Sequence, residues 1–291
     1  MKAWVEAARP RTLPAAVAPV LVGTGLAAAD GVYRPDAFVL ALLGALALQV
    51  AANFANDVSD ASRGADAADR VGPTRMVATG QITPRAMWIA TGAAVLTAAV
   101  AGVGLIIIAG WPIAVIGLAS ILAMLTYVGG PIPYGYRALG EVFVFVFFGL
   151  VATVGTRFAH GGSAPGIDAW ILGAVMGGLA AAILVANNLR DIASDARAGK
   201  RTLAVVLGRN GTRRLYAWLM YGSFMVVAVA SILRVTPVLT GLAALWVPFA
   251  VRPVTVVATT DDPGRLIGVL GATARIQLLV GATLGMAAAF S

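Results

Sequence analysis

Apolar runs long enough to cross a bilayer recur along the whole sequence, and nothing else in it limits the available folds so strongly. A run of about 20 apolar residues spans as a helix, because hydrocarbon tolerates only a backbone that satisfies its own hydrogen bonds. Proline, glycine and capping residues divide the sequence into about nine such spans, near 13–29, 37–56, 84–109, 112–128, 138–158, 169–188, 212–233, 237–253 and 266–290. Residues 1–13 form an interfacial lead-in, with Trp4 and Val5 as its apolar edge and Arg9 and Arg11 bracketing Pro10. Ala27-Ala28-Ala29 could mimic a signal-peptidase site, but an arginine-rich segment precedes this run, so a retained helix is expected.

Charged residues make up 12% of the chain, against roughly 25% in soluble domains. The expected fold is an all-α integral membrane protein, a single polytopic domain over 1–291 with two acidic loops at about 57–83 and 190–211. Cysteine is absent and His160 is the sole histidine, which excludes disulfides, a thiol nucleophile and a multi-histidine metal site. The formal charge of +8 raises the question of nucleic acid, and the placement of the basic residues answers it. With the N-terminus inside, the outer segments hold only Arg34, Arg157 and Arg234, and Arg275 falls within the last span. The other basic residues sort to the cytoplasmic side, as in multi-pass cell-membrane proteins, and no nucleic-acid partner is expected.

The same topology puts both acidic loops on the cytoplasmic side. Asn53, Asn56, Asp57 and Asp60 end the second span, and Asn187, Asn188, Arg190, Asp191 and Asp195 end the sixth. Both clusters run on to a glycine, Gly64 and Gly199, which suggests two quasi-repeated helical halves. Carboxylates three or four residues apart share a helix face. With asparagine oxygens nearby they make a hard, all-oxygen site of the kind that suits Mg²⁺ and substrate phosphate. Arg70, Arg75, Arg190, Lys200 and Arg201 could clamp the anion, so a diphosphate site is expected. The plainer alternative is that loop acids and bases pair and stay solvated. A cation-coupled transporter is a further alternative, although its carboxylates would lie at broken helices in mid-membrane.

Five motifs in order carry a resemblance: Ala8-Arg-Pro-Arg-Thr-Leu-Pro14, Asn53-Phe-Ala-Asn-Asp-Val-Ser-Asp60, Arg70-Val-Gly-Pro73, Gly129-Gly-Pro131 with Leu139-Gly-Glu141, and Asn187-Asn-Leu-Arg-Asp-Ile-Ala-Ser-Asp195 with Gly199-Lys-Arg-Thr202. The chain resembles the UbiA superfamily of intramembrane aromatic prenyltransferases, most closely its naphthoate branch. The resemblance implies Mg²⁺-dependent transfer of a polyprenyl group from its diphosphate to 1,4-dihydroxy-2-naphthoate, with loss of the ring carboxylate, giving demethylmenaquinone. A hydroxybenzoate or a sugar phosphate is the alternative acceptor.

By the same resemblance Asn53, Asn56, Asp57 and Asp60 would serve one metal and Asn187, Asp191 and Asp195 a second, with Asp66 assisting where the broader superfamily has an acid at the position of Gly64. Lys200 would act with the carboxylates at the leaving diphosphate. The superfamily's Tyr-x-x-x-Lys element begins here at Tyr127 but lacks its lysine, so Arg137 or the Lys200-Arg201 pair would substitute. Arg9 and Arg11 would hold the acceptor carboxylate or snorkel to headgroups. Arg275 is expected to find a structural partner inside the bundle. Glu141 is expected to pair with Arg137.

Overall fold

The computed structural model describes residues 1–62, 75–129 and 133–291. Ten helices organise them: α1 Lys2–Ala8, α2 Pro14–Ala29, α3 Pro35–Ser62, α4 Pro84–Ala109, α5 Pro112–Val128, α6 Gly140–Ala159, α7 Ile167–Arg197, α8 Leu203–Ile232, α9 Val238–Thr259 and α10 Pro263–Ala289. Seven of them, α3, α4 and α6 to α10, are long and apolar enough to cross a membrane. The lead-in with α2 makes an eighth span, bent by 51° at their junction, while α5 is shorter. The ninth apolar run read from the sequence is α5, of 17 residues.

Starts and stops follow local chemistry. Pro84 enters α4 behind Thr83, whose hydroxyl accepts the Ala86 N–H, and Asp262 caps Gly264 at the start of α10. The second expected loop is largely helix, since α7 continues to Arg197 and α8 opens at Leu203 with Thr202 as its cap, and α3 runs on to Ser62 at the start of the first. Gly208, at φ 66°, kinks α8. Polar residues past the hydrocarbon extend a helix when its turns can be solvated, so hydropathy ended these elements too early.

Helix α7 stands at the centre, with 72% of its most apolar window buried. Its Leu172, Met176, Leu179 and Leu189 pack with Val22 and Leu26 of α2, Tyr216 and Met220 of α8, and Val280 and Leu284 of α10. Small residues allow the close crossings: a side chain on Gly25 would enter the backbone of Gly285, and one on Gly149 that of Gly177. Buried polar atoms are tied between helices, with Tyr216 and Thr273 hydroxyls 2.7 Å apart and Gln277 donating to the Met176 carbonyl. Arg275 does not join them. It is exposed on the outer side of α10, because that helix turns Thr273, Ala274, Ile276 and Gln277 inward.

The two ends of the bundle differ. At one, Arg157 pairs with Asp30, and buried His160 accepts the Arg34 N–H while its ring stacks on Tyr33. Desolvation, then the Arg157 charge, push the His160 pKa down to about 4, so the ring is neutral. At the other end α3, α5, α7 and α9 finish and α2, α4, α6, α8 and α10 begin. Both acidic clusters lie there.

Candidate active site

The last turns of α3 project Gln49, Asn53, Asn56 and Asp60 along one stripe, as spacings of three and four residues require, and all four line a cavity of about 830 Å³. Arg9, Arg11, Arg75, Tyr127, Asn187, Asn188 and Lys200 complete its polar end. The remainder is apolar and includes Ala41, Leu105, Ile116, Gly155 and Ala159. From Phe143 to Ala159 along α6 the lining covers about 24 Å at 1.5 Å per residue. The chamber is therefore polar at one end and oily for most of a bilayer's depth.

Asp60 lies where the two halves meet. Its Oδ2 is 2.8 Å from Nη2 of Arg75, and its Oδ1 accepts the Tyr136 hydroxyl at 3.1 Å. The Lys200 ammonium sits 5.0 Å from the centre of the Tyr136 ring and 4.0 Å from Oδ1 of Asp195. Asp60 and Asp195, 135 residues apart, are thus joined through Tyr136 and Lys200. On α7, Arg190 grips Asp191 through Nε and Nη2 and reaches Oδ1 of Asn187 at 2.9 Å. Asn188 donates to Oε1 of Glu141 at 2.8 Å, so Glu141 faces the neighbouring helix and not Arg137 as expected. Arg137 instead meets Arg201 in a short backbone bridge.

Asp57 also has backbone partners. It is fully buried, lies off the cavity, and accepts the backbone N–H groups of Met76 and Val77 at 3.2 and 3.0 Å. The 100° step of the helix turns it away from the stripe that carries Asn56 and Asp60. Asn53 is likewise engaged, donating to the Ala8 carbonyl and the Thr12 hydroxyl and so fastening the lead-in. Arg137, Arg190, Asp191, Asp195 and Arg201 lie outside the cavity lining, although Arg190 reaches it through Asn187. Asp66 and Arg70 lie outside the described residues.

Two features escaped the sequence. Tyr136 is the bridge between the clusters. Tyr134 and Phe143 stack at 3.8 Å between ring centres, Phe147 continues the series at 6.0 Å, and all three line the cavity. The signal was the four-residue spacing of Phe143 and Phe147 on one face. Burial pushes the Tyr134 phenol well above its usual range, and its hydroxyl donates to the Ala123 carbonyl.

Among the described residues no three acidic or histidine side chains gather into a metal site. The donor set nevertheless fits a hard cation that arrives with a diphosphate. All its ligands are oxygens, and Oδ1 of Asn56 is buried at the cavity with no partner among the described residues.

The model of the UbiA prenyltransferase family matches residues 16–266. The chain is 42% identical over 297 residues to the 1,4-dihydroxy-2-naphthoate octaprenyltransferase of Mycobacterium tuberculosis, covering 99% of this chain and 97% of that protein. It is 38% identical to the enzyme of the same name from Escherichia coli K12, over 96% and 92% of the two chains. A UbiA homolog from Archaeoglobus fulgidus, solved bound to GPP and Mg²⁺, has the same fold, with a TM-score of 0.68 over 97% of this chain and 99% of that one at 15% identity.

Proposed function

Because the chain belongs to the UbiA prenyltransferase family, we propose that it moves a polyprenyl group from its diphosphate to 1,4-dihydroxy-2-naphthoate, the ring carboxylate leaving as CO₂ and the product being demethylmenaquinone. The observation that carries this is the cavity, with cations, amides and carboxylates at one end and an apolar body behind them. Naphthoate as acceptor rests on the relatives' names and on Arg9 and Arg11 at the polar mouth.

In the reaction the C–O bond to the diphosphate breaks and its electron pair leaves with the anion. The ring carbon supplies the pair for the new C–C bond, and the departing CO₂ returns its bonding pair to the ring. Lys200 and Arg75 face the leaving diphosphate, and Arg9 or Arg11 holds the acceptor carboxylate. Tyr134, Phe143 and Phe147 offer ring faces to the allylic cation. The apolar wall excludes water that would otherwise capture that cation. Mg²⁺, when bound, neutralises charge on the leaving diphosphate. We assign its ligation to Asn56 and Asp60 on α3 and to Asn187, Asp191 and Asp195 on α7, with Asp66 assisting and two ions in all. Release of Asp191 from Arg190 is part of that assignment. The polar end and the N-terminus face the cytoplasm, where the basic residues sort, and the 291 residues act as one membrane domain.

The test is extraction of quinones from a strain that lacks its own transferase and carries this chain. Demethylmenaquinone or its methylated product is expected; prenylated hydroxybenzoate alone would overturn the acceptor, and no prenylated product would overturn the enzyme. Within this scheme Lys200→Met should raise KM for the prenyl diphosphate about tenfold or more, the loss of one charged hydrogen bond, with KM for the naphthoate little changed. Equal effects on both constants would remove Lys200 from the diphosphate.

A further inference from the structure

Gln49 has no assigned duty, yet it is 7% exposed, lines the cavity one turn deeper than Asn53, and carries an unsatisfied atom. Three hydrogen bonds at Thr12 fix which atom that is. The Thr12 hydroxyl donates its single proton to the Arg9 carbonyl at 3.0 Å. It can then only accept, and it does so from Nε2 of Gln49 at 3.0 Å and from Nδ2 of Asn53 at 3.1 Å. The Gln49 amide is thereby locked with its nitrogen toward the lead-in and its oxygen turned away, buried and without a partner among the described residues. A buried carbonyl oxygen left unsatisfied is costly, and a site that keeps one is built to receive a donor.

We propose that the Gln49 carboxamide oxygen receives a ring hydroxyl of the aromatic acceptor, beside the carboxylate held by Arg9 or Arg11, and so selects acceptors bearing a hydroxyl next to the carboxylate. This rests on the acceptor reading given above. The geometry suits it, since the Arg9–Thr12 turn that presents both arginines is the same turn to which Gln49 is bonded. Carboxylate and hydroxyl on neighbouring ring carbons would meet neighbouring groups of the protein. A diphosphate offers acceptor oxygens only and has nothing to donate to this atom. Gln49 is therefore a specificity residue for the ring and not for the prenyl donor.

Competitive inhibition of dihydroxynaphthoate prenylation in membranes tests it, with 1-hydroxy-2-naphthoate and 2-naphthoate as the paired probes. The wild type should bind the hydroxylated probe about tenfold to a hundredfold tighter. Gln49→Leu should bring the two inhibition constants within about twofold of each other and leave KM for the prenyl diphosphate unchanged. Gln49→Met serves as the second apolar variant should the leucine form fail to accumulate. A wild-type ratio near one, or a ratio that survives the substitution, overturns the proposal. If the wild type does not prenylate dihydroxynaphthoate at all, the acceptor reading falls, and the probe ratio measured by direct binding still judges Gln49.

Discussion

Alanine in place of Asp60 is expected to lower kcat for prenyl transfer by about a hundredfold to a thousandfold, the range for losing one group that acts on developing charge, while the protein folds and inserts normally. Asp60 bonds no backbone group in the described structure; its oxygens meet Arg75 and Tyr136, both at the polar end of the chamber. Its removal therefore strips the cleft of a carboxylate and leaves the helices intact. It also removes the Asp60 bond to the Tyr136 hydroxyl, whose ring lies under the Lys200 ammonium. Single-turnover rates with saturating prenyl diphosphate measure the effect. Turnover within a few-fold of wild type would remove Asp60 from the chemistry.

Asp57→Ala should fail in another way, by melting. Two backbone N–H groups, the buried one of Met76 and the partly buried one of Val77, lose their acceptor. Each unsatisfied group costs about 1–3 kcal/mol, so the loss is about 2–6 kcal/mol, a large fraction of an ordinary domain's stability. Asp57→Asn keeps one acceptor oxygen and should lie between. Heating detergent-solubilised protein and measuring the folded fraction by size exclusion reads this; the chain lacks cysteine, so thiol-reactive dyes cannot. Asp60→Ala is the control and should melt near the wild type. An Asp57→Ala protein that melts normally but has lost its response to Mg²⁺ would return Asp57 to the metal, where the sequence had put it.

Asp57 and Asp60 mark how far the sequence could be read. Composition and apolar runs were sufficient for an all-helical membrane bundle, because hydrocarbon leaves few alternatives. Paired Asn/Asp clusters on one side of the membrane were enough to locate the polar end of the chamber. The division of labour within a cluster was not legible. Whether a carboxylate three residues from its neighbour looks into a cleft or caps a distant backbone depends on what packs beside it, and Met76 and Val77 carry no mark of that role. Tyr136 was hidden for the same reason: aromatic residues at an interface are ordinarily anchors, and only the meeting of α3 with Lys200, between α7 and α8, makes this one a bridge.

The lead-in carries one more consequence. Helix α1 exposes Trp4 and Val5 while the edge of the Trp4 ring meets Phe54, and the turn after it hangs from Thr12, which Gln49 and Asn53 hold. The lipid surface and the reaction chamber thus share one mechanical linkage a few atoms long. Whatever pulls α1 from its lipid bed, such as a stripping detergent, disarranges the arginines at the mouth before the bundle loosens. Activity that fades on solubilisation and returns in lipid nanodiscs, with the melting temperature unmoved, would be the signature of an enzyme that takes part of its active-site alignment from the membrane itself.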